Sequence, residues 1–585
     1  MRRKILYTAL TLAAACLLGS CEDTFLDLKP LDQETDAVYF KSAQDFEDYS
    51  AGFYSQLQGW GAQYRSSYCT FDGGTDLSTY FNYDGDLARG TIQKGSTDVR
   101  WDNCYSHIRT INIMLQRAAS YPGDINDISH PLGEAYFFRA YAYYILLKTF
   151  GGVPIVTSVL DTNSPELFAP RNSRYEVCNQ IFSDLDAAIA RLPRTVSSTE
   201  YGKITKYAAE AFKARVLLYE ATWRKYNGTS TDYEGSAGPA KDEVNEMLDE
   251  CIQLNEDVMK NGGYSIWNYN SRSNMQNMSS RYLFCLQDAT SNPAGLEKNT
   301  NHEFVISSLY DLSLRPGNVN LNQTVGYFTV SRKFIDMFLC TDGLPIQIST
   351  RFKGYAQPGD EFTNRDYRLK SYISQPDANT KLTNGTSGYA SHKFYNETTG
   401  IKTKEESADY PVLRYAEVLL NYAEALYERN GSITDAQLNS SINQLRKRAG
   451  VANLTNQLVE DHEMDMKTEI RRERTIELYM EGFRFDDLKR WGIAETELNQ
   501  SRLGMVVGGA DYPTAFRDAN GNATDSYKPS VYVWGEEAAE TPVGTVNCIA
   551  LEKASNFNVK KMHYLWPIPQ KQIDLNPQLK QNPGY

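Results

Sequence analysis

Three segments of this chain share one pattern, which constrains the fold more than any other feature. They run from Glu134 to Gly151, from Glu210 to Trp223 and from Glu417 to Gly431, and each is rich in Ala, Leu and Tyr at spacings of three and four. This spacing puts small and large side chains on the same helix faces, so that neighbouring helices can approach closely and interlock. The pattern predicts helix-turn-helix repeats of the tetratricopeptide type.

The three segments are unevenly spaced, so insertions must separate the repeats and a uniform solenoid is not expected. Residues 55–100, 262–400 and 503–560 are rich in Gly, Asn, Ser, Thr and Tyr, with short apolar runs such as the one after Glu303. Such composition predicts loops and small strands. The expected fold class is mostly α: tetratricopeptide-like helical repeats form a scaffold that carries long loop-rich and short-strand insertions.

A highly charged segment runs from Lys467 to Gly492 and is expected to be helical. Acidic residues precede basic ones by three or four positions, which predicts a solvated helix face. These pairs are Glu469 with Arg472, Glu481 with Arg484, and Asp486 with Arg490. Gly482 lies inside the segment and predicts a kink or a close packing contact.

The last residues of the chain, His563 to Tyr585, combine prolines with apolar side chains. Proline fixes φ and removes a backbone donor, so neither a helix nor a central strand is expected here. The prolines are Pro567, Pro569, Pro577 and Pro583. Side chains such as Trp566 and Ile568 are too apolar for a disordered tail. The composition predicts a rigid, irregular terminus that packs on the body of the protein.

The N-terminus has the features of a targeting segment. A basic start at Arg2 is followed by an apolar run from Ile5 to Leu18, which is too short to span a bilayer. Small residues then precede Cys21, as in a bacterial lipobox, so we expect a signal peptide at residues 1–20 and lipidation of Cys21. Without residues 1–20, 57 basic and 73 acidic residues remain, a net charge of −16. Such a surface repels nucleic acid.

Signals of catalysis and metal binding are missing from the sequence. The nine cysteines form no Cys-x-x-Cys pair, and the six histidines are scattered. There is no phosphate-binding glycine loop and no Gly-x-Ser-x-Gly elbow. Nothing singles out a catalytic carboxylate pair among the 73 acids. We therefore expect no enzyme activity, no cofactor and no metal site.

The tail closely resembles the C-terminal signature of the SusD/RagB family, the outer-membrane nutrient-binding lipoproteins of Bacteroidota. Four internal segments resemble other motifs of that family, in the family's order and with the lipobox in front. They begin at Arg139, Leu413, Ile442 and Glu469. One departure is Gln572, where the family commonly carries glutamate.

The resemblance implies a role in glycan uptake. A lipid-anchored protein on the outer membrane, facing the cell exterior, would capture oligosaccharides and deliver them to a SusC-like TonB-dependent transporter. The resemblance also implies an N-terminal helical region at residues 21–225 and a C-terminal region with loop-rich insertions at residues 226–585.

Tyrosine is the compositional outlier, with 40 residues against 24 Phe and 7 Trp. Tyrosine and tryptophan have an apolar face and a polar tip, which suits the C–H faces and hydroxyls of sugars. Tyrosines on helical spacing, such as Tyr143 and Tyr144, and Trp101 are expected in the core. Loop residues are the better ligand-binding candidates, and the selected ones are Tyr80, Asn82, Tyr83, Arg89, Trp267 and Tyr310.

Two other functions fit the sequence. In the first, the ligand is a peptide or glycopeptide, as in the RagB branch of the family. In the second, the repeats bind a protein and no small ligand exists. A binding screen with saccharides and peptides separates these alternatives from glycan capture.

Overall fold

Long helices form the frame of the protein in a computed structural model that describes residues 39–60, 72–80, 86–317, 328–357, 359–376, 387–395, 407–508 and 536–585. In the first half the helices are α1 (Ala43–Ala51), α2 (Asp86–Arg89), α3 (Val99–Ala118), α4 (Ser129–Phe150), α5 (Arg174–Ile189), α6 (Lys206–Asn227), α7 (Val244–Asn261) and α8 (Ser279–Tyr282). The second half contains α9 (Arg332–Met337), α10 (Tyr367–Tyr372), α11 (Tyr415–Asn430), α12 (Asp435–Ser440), α13 (Ile442–Ala449), α14 (Asn456–Asp461), α15 (Met466–Glu477), α16 (Arg484–Arg490), α17 (Ala494–Leu498) and α18 (Gln570–Leu575).

The long helices pack in sequence order. Helix α3 packs on α4, α4 on α5, α5 on α6 and α6 on α7. The next neighbour of α7 is α11, which begins more than 150 residues later and packs in turn on α15. The predicted repeats are therefore present, and the insertion between α7 and α11 separates them. The predicted fold class is confirmed.

Caps and aromatic packing explain why these helices form where they do. The Ser173 hydroxyl accepts the N–H of Glu176, whose side chain accepts the N–H of Ser173, so α5 begins in a capping box. At the C-terminal end of α4, the N–H of Gly151 donates to the Leu147 carbonyl. Between the layers the Tyr144 ring meets Tyr219 edge-on, with centroids 5.7 Å apart. As predicted, Tyr144 is a buried residue of the helical layers.

The described strands are short and belong to the insertions. They are β1 (Ser78–Tyr80), β2 (Phe304–Ser308), β3 (Phe328–Val330), β4 (Tyr410–Arg414), β5 (Arg502–Gly508), β6 (Glu536–Thr541) and β7 (Gly544–Glu552). Antiparallel pairs join β1 to β3 and β2 to β4, and the third sheet has the order β5-β7-β6. Strand β2 is the apolar run after Glu303 that the sequence predicted.

A buried ionic network connects the insertion to the repeats. The carboxylate of Glu477 accepts from Arg414 at 2.7 Å, from Arg448 at 2.5 Å and from Arg368 at 2.8 Å. Glu303 bridges two of these arginines, at 2.8 Å from Arg414 and 2.6 Å from Arg448. All five side chains are at most 1% exposed. The network therefore ties β4, at the end of the insertion, to α10, α13 and α15.

The predicted solvated face of the segment from 467 to 492 is wrong. Glu481 pairs with Arg414 rather than with Arg484, and Asp486 pairs with Lys148 and Lys489 rather than with Arg490. Only the Glu469–Arg472 pair forms as predicted, at 3.1 Å, and Glu469 is itself buried. Distant basic residues supply the partners, and helical spacing cannot show them.

The segment is also two helices, α15 and α16, rather than one. Met480 and Gly482 between them have φ values of 60° and 80°. These left-handed conformations end the first helix and turn the chain before Arg484. The predicted irregularity at Gly482 is a helix break.

The C-terminal tail packs on the helical body, as predicted. Tyr564, Leu565 and Ile568 are buried. The Arg171 guanidinium donates to the Lys580 carbonyl at 2.9 Å and to the Asn582 side chain at 3.0 Å. The prediction that no helix forms here is wrong, because α18 occupies Gln570–Leu575. This turn contains no proline, since Pro569 precedes it and Pro577 follows it.

Within the described parts of the chain, no helix is both long and apolar enough to cross a bilayer.

Candidate functional site

The residues predicted to bind ligand are only partly described. Cys21, Asn82 and Tyr83 lie outside the described residues, and Tyr80 is described by its backbone alone, as the last residue of β1. Tyr80 pairs with Phe328, the first residue of β3. In the sequence, Asn82 and Tyr83 therefore follow closely on the end of a two-stranded sheet.

Two other segments of the chain contact the same sheet or its neighbours. The N–H of Ser387 donates to the Thr329 hydroxyl on β3 at 2.8 Å, and the Ser387 carbonyl accepts from the N–H of Met505 on β5 at 2.7 Å. Packing therefore gathers residues that are hundreds of positions apart around the strand that carries Tyr80.

Two buried carboxylates join the segment that precedes β1 to the start of α16. The guanidinium of Arg484 makes a two-pronged contact with Asp76, at 2.8 and 2.6 Å. Burial alone would raise the pKa of Asp76, but Arg484 and Lys333 hold it below its ordinary value. Asp72 accepts backbone N–H groups of Met480 and Arg484, at 2.6 and 3.1 Å. Burial raises the pKa of Asp72 to about 7 despite these bonds.

Arg89 lies at the end of α2 and pairs with Glu552, at 2.6 Å, at the end of β7. Its side chain is 28% exposed, so the guanidinium is partly accessible. The carbonyl of Arg89 accepts from Asn558, and a Cβ at Gly90 would lie 2.2 Å from the Asn558 carbonyl oxygen. Glycine is required at position 90 for this close approach, which fixes the loop on the C-terminal region.

Tyr310 is 8% exposed and occupies a structural position. Its hydroxyl accepts the N–H of Trp60 at 2.9 Å, and the Arg315 guanidinium lies 4.8 Å from the ring centroid. Its N–H donates to Asp409 at 2.9 Å. The Tyr310 side chain therefore packs between Arg315 and Trp60. Ligand contact by Tyr310 stays a prediction, which this burial does not support.

Trp267 is 2% exposed and is held by the ionic network. Its N–H donates to Glu303 at 2.8 Å, and its indole N–H donates to the Thr300 hydroxyl at 3.2 Å. The Tyr269 ring lies 4.9 Å away. Trp267 therefore packs as a core residue, and the predicted contact with a ligand stays a prediction without support from its position.

Sequence reasoning missed a cavity between the helical layers. We call it the interlayer cleft, a space of about 580 Å³ between the layers α3, α4 and α6 on one side and α16 with its preceding loop on the other. Its wall includes Gln56, Asn103, Tyr144, Lys148, Tyr219 and Asp486. These residues come from five distant segments, so no local pattern could have revealed the cleft. Tyr144 was expected to be a core residue only.

Among the residues that the structure describes, no group of three or more His, Cys, Asp or Glu side chains is arranged to hold a metal ion. The six described cysteines are all buried.

Comparison with known proteins places the chain in a family. The model of the SusD family matches residues 263–585. A second family model, described as starch-binding associating with outer membrane, matches residues 24–218. The chain belongs to the SusD family. The predicted membership is confirmed, and the two matches together cover most of the chain.

Curated members of the SusD family align over most of their length. SusD-like protein P38 of Formosa agariphila is 25% identical over 520 residues, which cover 83% of this chain and 91% of that protein. A SusD-like protein of Bacteroides ovatus is 24% identical over 504 residues, which cover 84% of this chain and 83% of the relative.

Solved structures share the fold. A SusD-like protein from Bacteroides fragilis superposes with a TM-score of 0.68 at 22% identity, over 95% of this chain and 100% of the other. A SusD-like carbohydrate binding protein from the same organism also gives 0.68 at 22% identity, over 92% and 99%. A laminarin binding SusD-like protein gives 0.59 at 17% identity, over 93% and 100%. At these identities the likeness establishes the fold.

Proposed function

We propose that this protein captures oligosaccharides at the cell surface and delivers them to a SusC-like TonB-dependent transporter of the outer membrane. Membership of the SusD family is the observation that carries the proposal. Fold neighbours described as carbohydrate binding and laminarin binding support a glycan as ligand. Lipidation of Cys21, with the body facing the exterior, would hold the protein where extracellular glycans arrive.

The proposed ligand site is the surface that includes Tyr80, Asn82, Tyr83 and Arg89. Its support is the position of β1, whose partner strand β3 also contacts Ser387 from another insertion. Arg89, which follows Tyr83 by six positions in the sequence, supplies a partly exposed guanidinium. Aromatic faces would stack on sugar rings while the amide and the guanidinium donate to hydroxyls.

The proposed role is binding without catalysis. Each sugar hydroxyl exchanges hydrogen bonds with water for bonds with protein, at a net gain of about 1 kcal/mol. Affinity should therefore fall between about micromolar and millimolar. Such weak binding allows release to a transporter. Turnover of a glycan by the purified protein would contradict this part of the proposal.

The first experiment tests ligand class and ligand site together. The mature chain from Glu22 is screened against a polysaccharide panel, with peptides in parallel, and Tyr80→Ala and Tyr83→Ala follow on the retained glycan. We expect each substitution to weaken binding by about 1–3 kcal/mol without unfolding the protein. Tyr427→Ala is the matched control, because Tyr427 is a half-buried tyrosine at the end of α11.

The outcomes separate the three functions. Retention of one polysaccharide supports glycan capture, and unchanged affinity in both loop variants rejects the proposed site. Retention of peptides alone supports the RagB-like alternative, in which the protein captures peptides. If neither class binds, a scaffold function remains, and stable copurification with a membrane barrel would identify its partner.

The anchoring and the partner need a separate test. In cells, the unmodified protein should fractionate with the outer membrane, be labelled by a surface reagent and copurify with a TonB-dependent barrel. Cys21→Ala should release it from the membrane, because acylation is the proposed anchor. A Cys21→Ala protein that stays in the membrane fraction would reject lipidation at this residue.

A further inference from the structure

Two residues that line the interlayer cleft carry polar atoms without a hydrogen-bond partner. Among the described residues, the Tyr219 hydroxyl and both polar atoms of the Gln56 amide are buried without a hydrogen-bond partner. Tyr219 is 4% exposed, and both residues line the cleft. A buried polar group without a partner costs about 1–3 kcal/mol, so native structures usually supply one. A ligand with both hydrogen-bond donors and acceptors would therefore suit the cleft.

The charges of the cleft wall are satisfied within the protein. Lys148 pairs with Asp486 at 2.9 Å. Deeper in the wall, Arg215 pairs with Glu417 at 2.6 Å, and Arg490 pairs with Glu424 at 2.5 Å. A charged ligand would have to compete with these pairs, and an apolar one would leave Tyr219 and Gln56 unsatisfied. The chemistry therefore favours a neutral, polar ligand.

Aromatic surface in the cleft suits a ligand with apolar ring faces. Phe483 and Trp566 line the wall and are each half-buried, and the Tyr144 ring lies in the same wall. The Arg100 guanidinium stacks at 4.1 Å on Trp566 and holds that ring in place. A volume of about 580 Å³ is within the usual range for small-molecule sites and exceeds what one ordered water needs.

We infer that the interlayer cleft is a second carbohydrate site, which takes a short neutral saccharide whose hydroxyls bond to Tyr219 and Gln56. The choice of a sugar rests on the proposed function. The site is distinct from the surface around Tyr80: the cleft wall is built from α3, α4, α6 and α16, whereas Tyr80 ends β1. Leu87 on α2 also lines the cleft, two residues before Arg89, so the two sites are neighbours.

The test measures small sugars rather than polymers. Glucose, maltose and laminaribiose are titrated into the mature chain, with calorimetry and Trp fluorescence as readouts. Tyr219→Phe removes only the unpartnered hydroxyl and should weaken saccharide binding by about fivefold, the loss of one neutral hydrogen bond. The same variant should be at least as stable as the wild type, since no protein group loses a partner. Asn103→Trp, on the exposed rim, should block entry.

Tyr143→Phe is the matched control. The Tyr143 hydroxyl accepts from Val156 at 2.6 Å and donates to its carbonyl at 3.0 Å, so its removal should lower stability and leave saccharide affinity unchanged. Absence of saturable binding of all three sugars, or binding that neither Tyr219→Phe nor Asn103→Trp alters, would overturn the inference and leave a water-filled cleft.

The two proposals can fail separately. Retention of a polysaccharide with no effect of the cleft variants keeps glycan capture and rejects the cleft. Small-sugar binding that the cleft variants weaken, without retention of any polysaccharide, keeps the cleft and rejects capture of polymeric glycans.

Discussion

The N-terminal helical layers and the C-terminal half of this protein are both helical, but different interactions hold them together. Helix α4 buries aromatic and small side chains, among them Phe137, Phe138 and Tyr143, each 0% exposed. Helix α15 buries Glu473 and Glu477, also 0% exposed. Both regions bury ion pairs, such as Arg139 with Asp184 at 2.5 Å in the N-terminal layers, but in the C-terminal half a single carboxylate, Glu477, joins three arginines.

The difference shows what each kind of core requires. Aromatic layers pack against whatever apolar surface is adjacent, so near neighbours in sequence suffice. A buried carboxylate needs a basic partner in the right place, and Glu477 finds its partners on three separate elements. The network around Glu477 is therefore built from long-range contacts, and we expect it to respond more strongly to the loss of a charge than the aromatic contacts of α4 do.

The largest effect is expected from Glu477→Gln. Without this charge, Arg368, Arg414 and Arg448 lose a shared partner in a region where they cannot reach water. Breaking a buried ion pair on one side costs about 3–5 kcal/mol. Urea unfolding of the variant and the wild type measures the loss.

Glu460→Gln is the control for the previous substitution, because Glu460 lies exposed on α14. It should change the free energy of unfolding by less than about 0.5 kcal/mol. Equal effects of the two substitutions would remove the claimed difference between buried and exposed acids.

The next effect is a pH dependence that originates at Asp72. Its pKa in the folded protein is about 7, above its ordinary value of 3.8, so the folded state holds the proton more tightly. The contribution of Asp72 to stability is therefore full below about pH 4 and is lost as the pH rises to about 7. Over this window the loss should be about 2–4 kcal/mol, since each pH unit is worth up to about 1.4 kcal/mol.

Asp72→Asn isolates this contribution, because an amide does not titrate. The difference in unfolding free energy between the variant and the wild type should change across pH 4–7 and stay constant above. Lys393 and Arg484 favour the ionised carboxylate, and their effect is included in the folded pKa. Parallel pH profiles for the two proteins would show that Asp72 does not titrate in this range.

A smaller effect is expected in the aromatic layers. Tyr143→Phe keeps the ring and removes a hydroxyl that bonds both backbone groups of Val156. The cost should be about 1–3 kcal/mol and independent of pH between 5 and 8, because only neutral groups change. Thermal unfolding at several pH values measures it, and a strong pH dependence would contradict the contrast drawn between the two halves.

The smallest effect is expected at an ion pair on the surface. Asp249 and Arg429 join α7 to α11 at 2.8 Å, with 47% and 33% of their side chains exposed. Asp249→Asn should cost less than about 1 kcal/mol, and added salt should reduce even that. A loss as large as that of Glu477→Gln would mean that burial does not set the strength of these pairs.

Sequence periodicity predicted the helical layers well because it depends on local spacing. The segments at Glu134, Glu210 and Glu417 lie within α4, α6 and α11. The same reasoning failed at Glu481 and Asp486, where spacing suggested neighbours within one helix and the structure supplies Arg414 and Lys148 instead. Ion-pair partners at large sequence separation leave no periodic signal.

The candidate site divides in the same way. Composition pointed to tyrosine-rich loops, and the strand that ends at Tyr80 pairs with β3, which also contacts Ser387. Trp267 and Tyr310 have the same composition around them, yet both are buried. Residue type shows that an aromatic side chain suits a sugar, while its exposure depends on what packs against it.

The order of amino acids alone determines the helices, the insertions and the packed C-terminal tail, because these follow from apolar spacing and from the backbone limits of proline and glycine. Tertiary packing alone decides which acids are buried, which aromatic rings are accessible and where the interlayer cleft opens. Each of these depends on side chains brought together from distant segments, whose contacts are absent until the chain has folded.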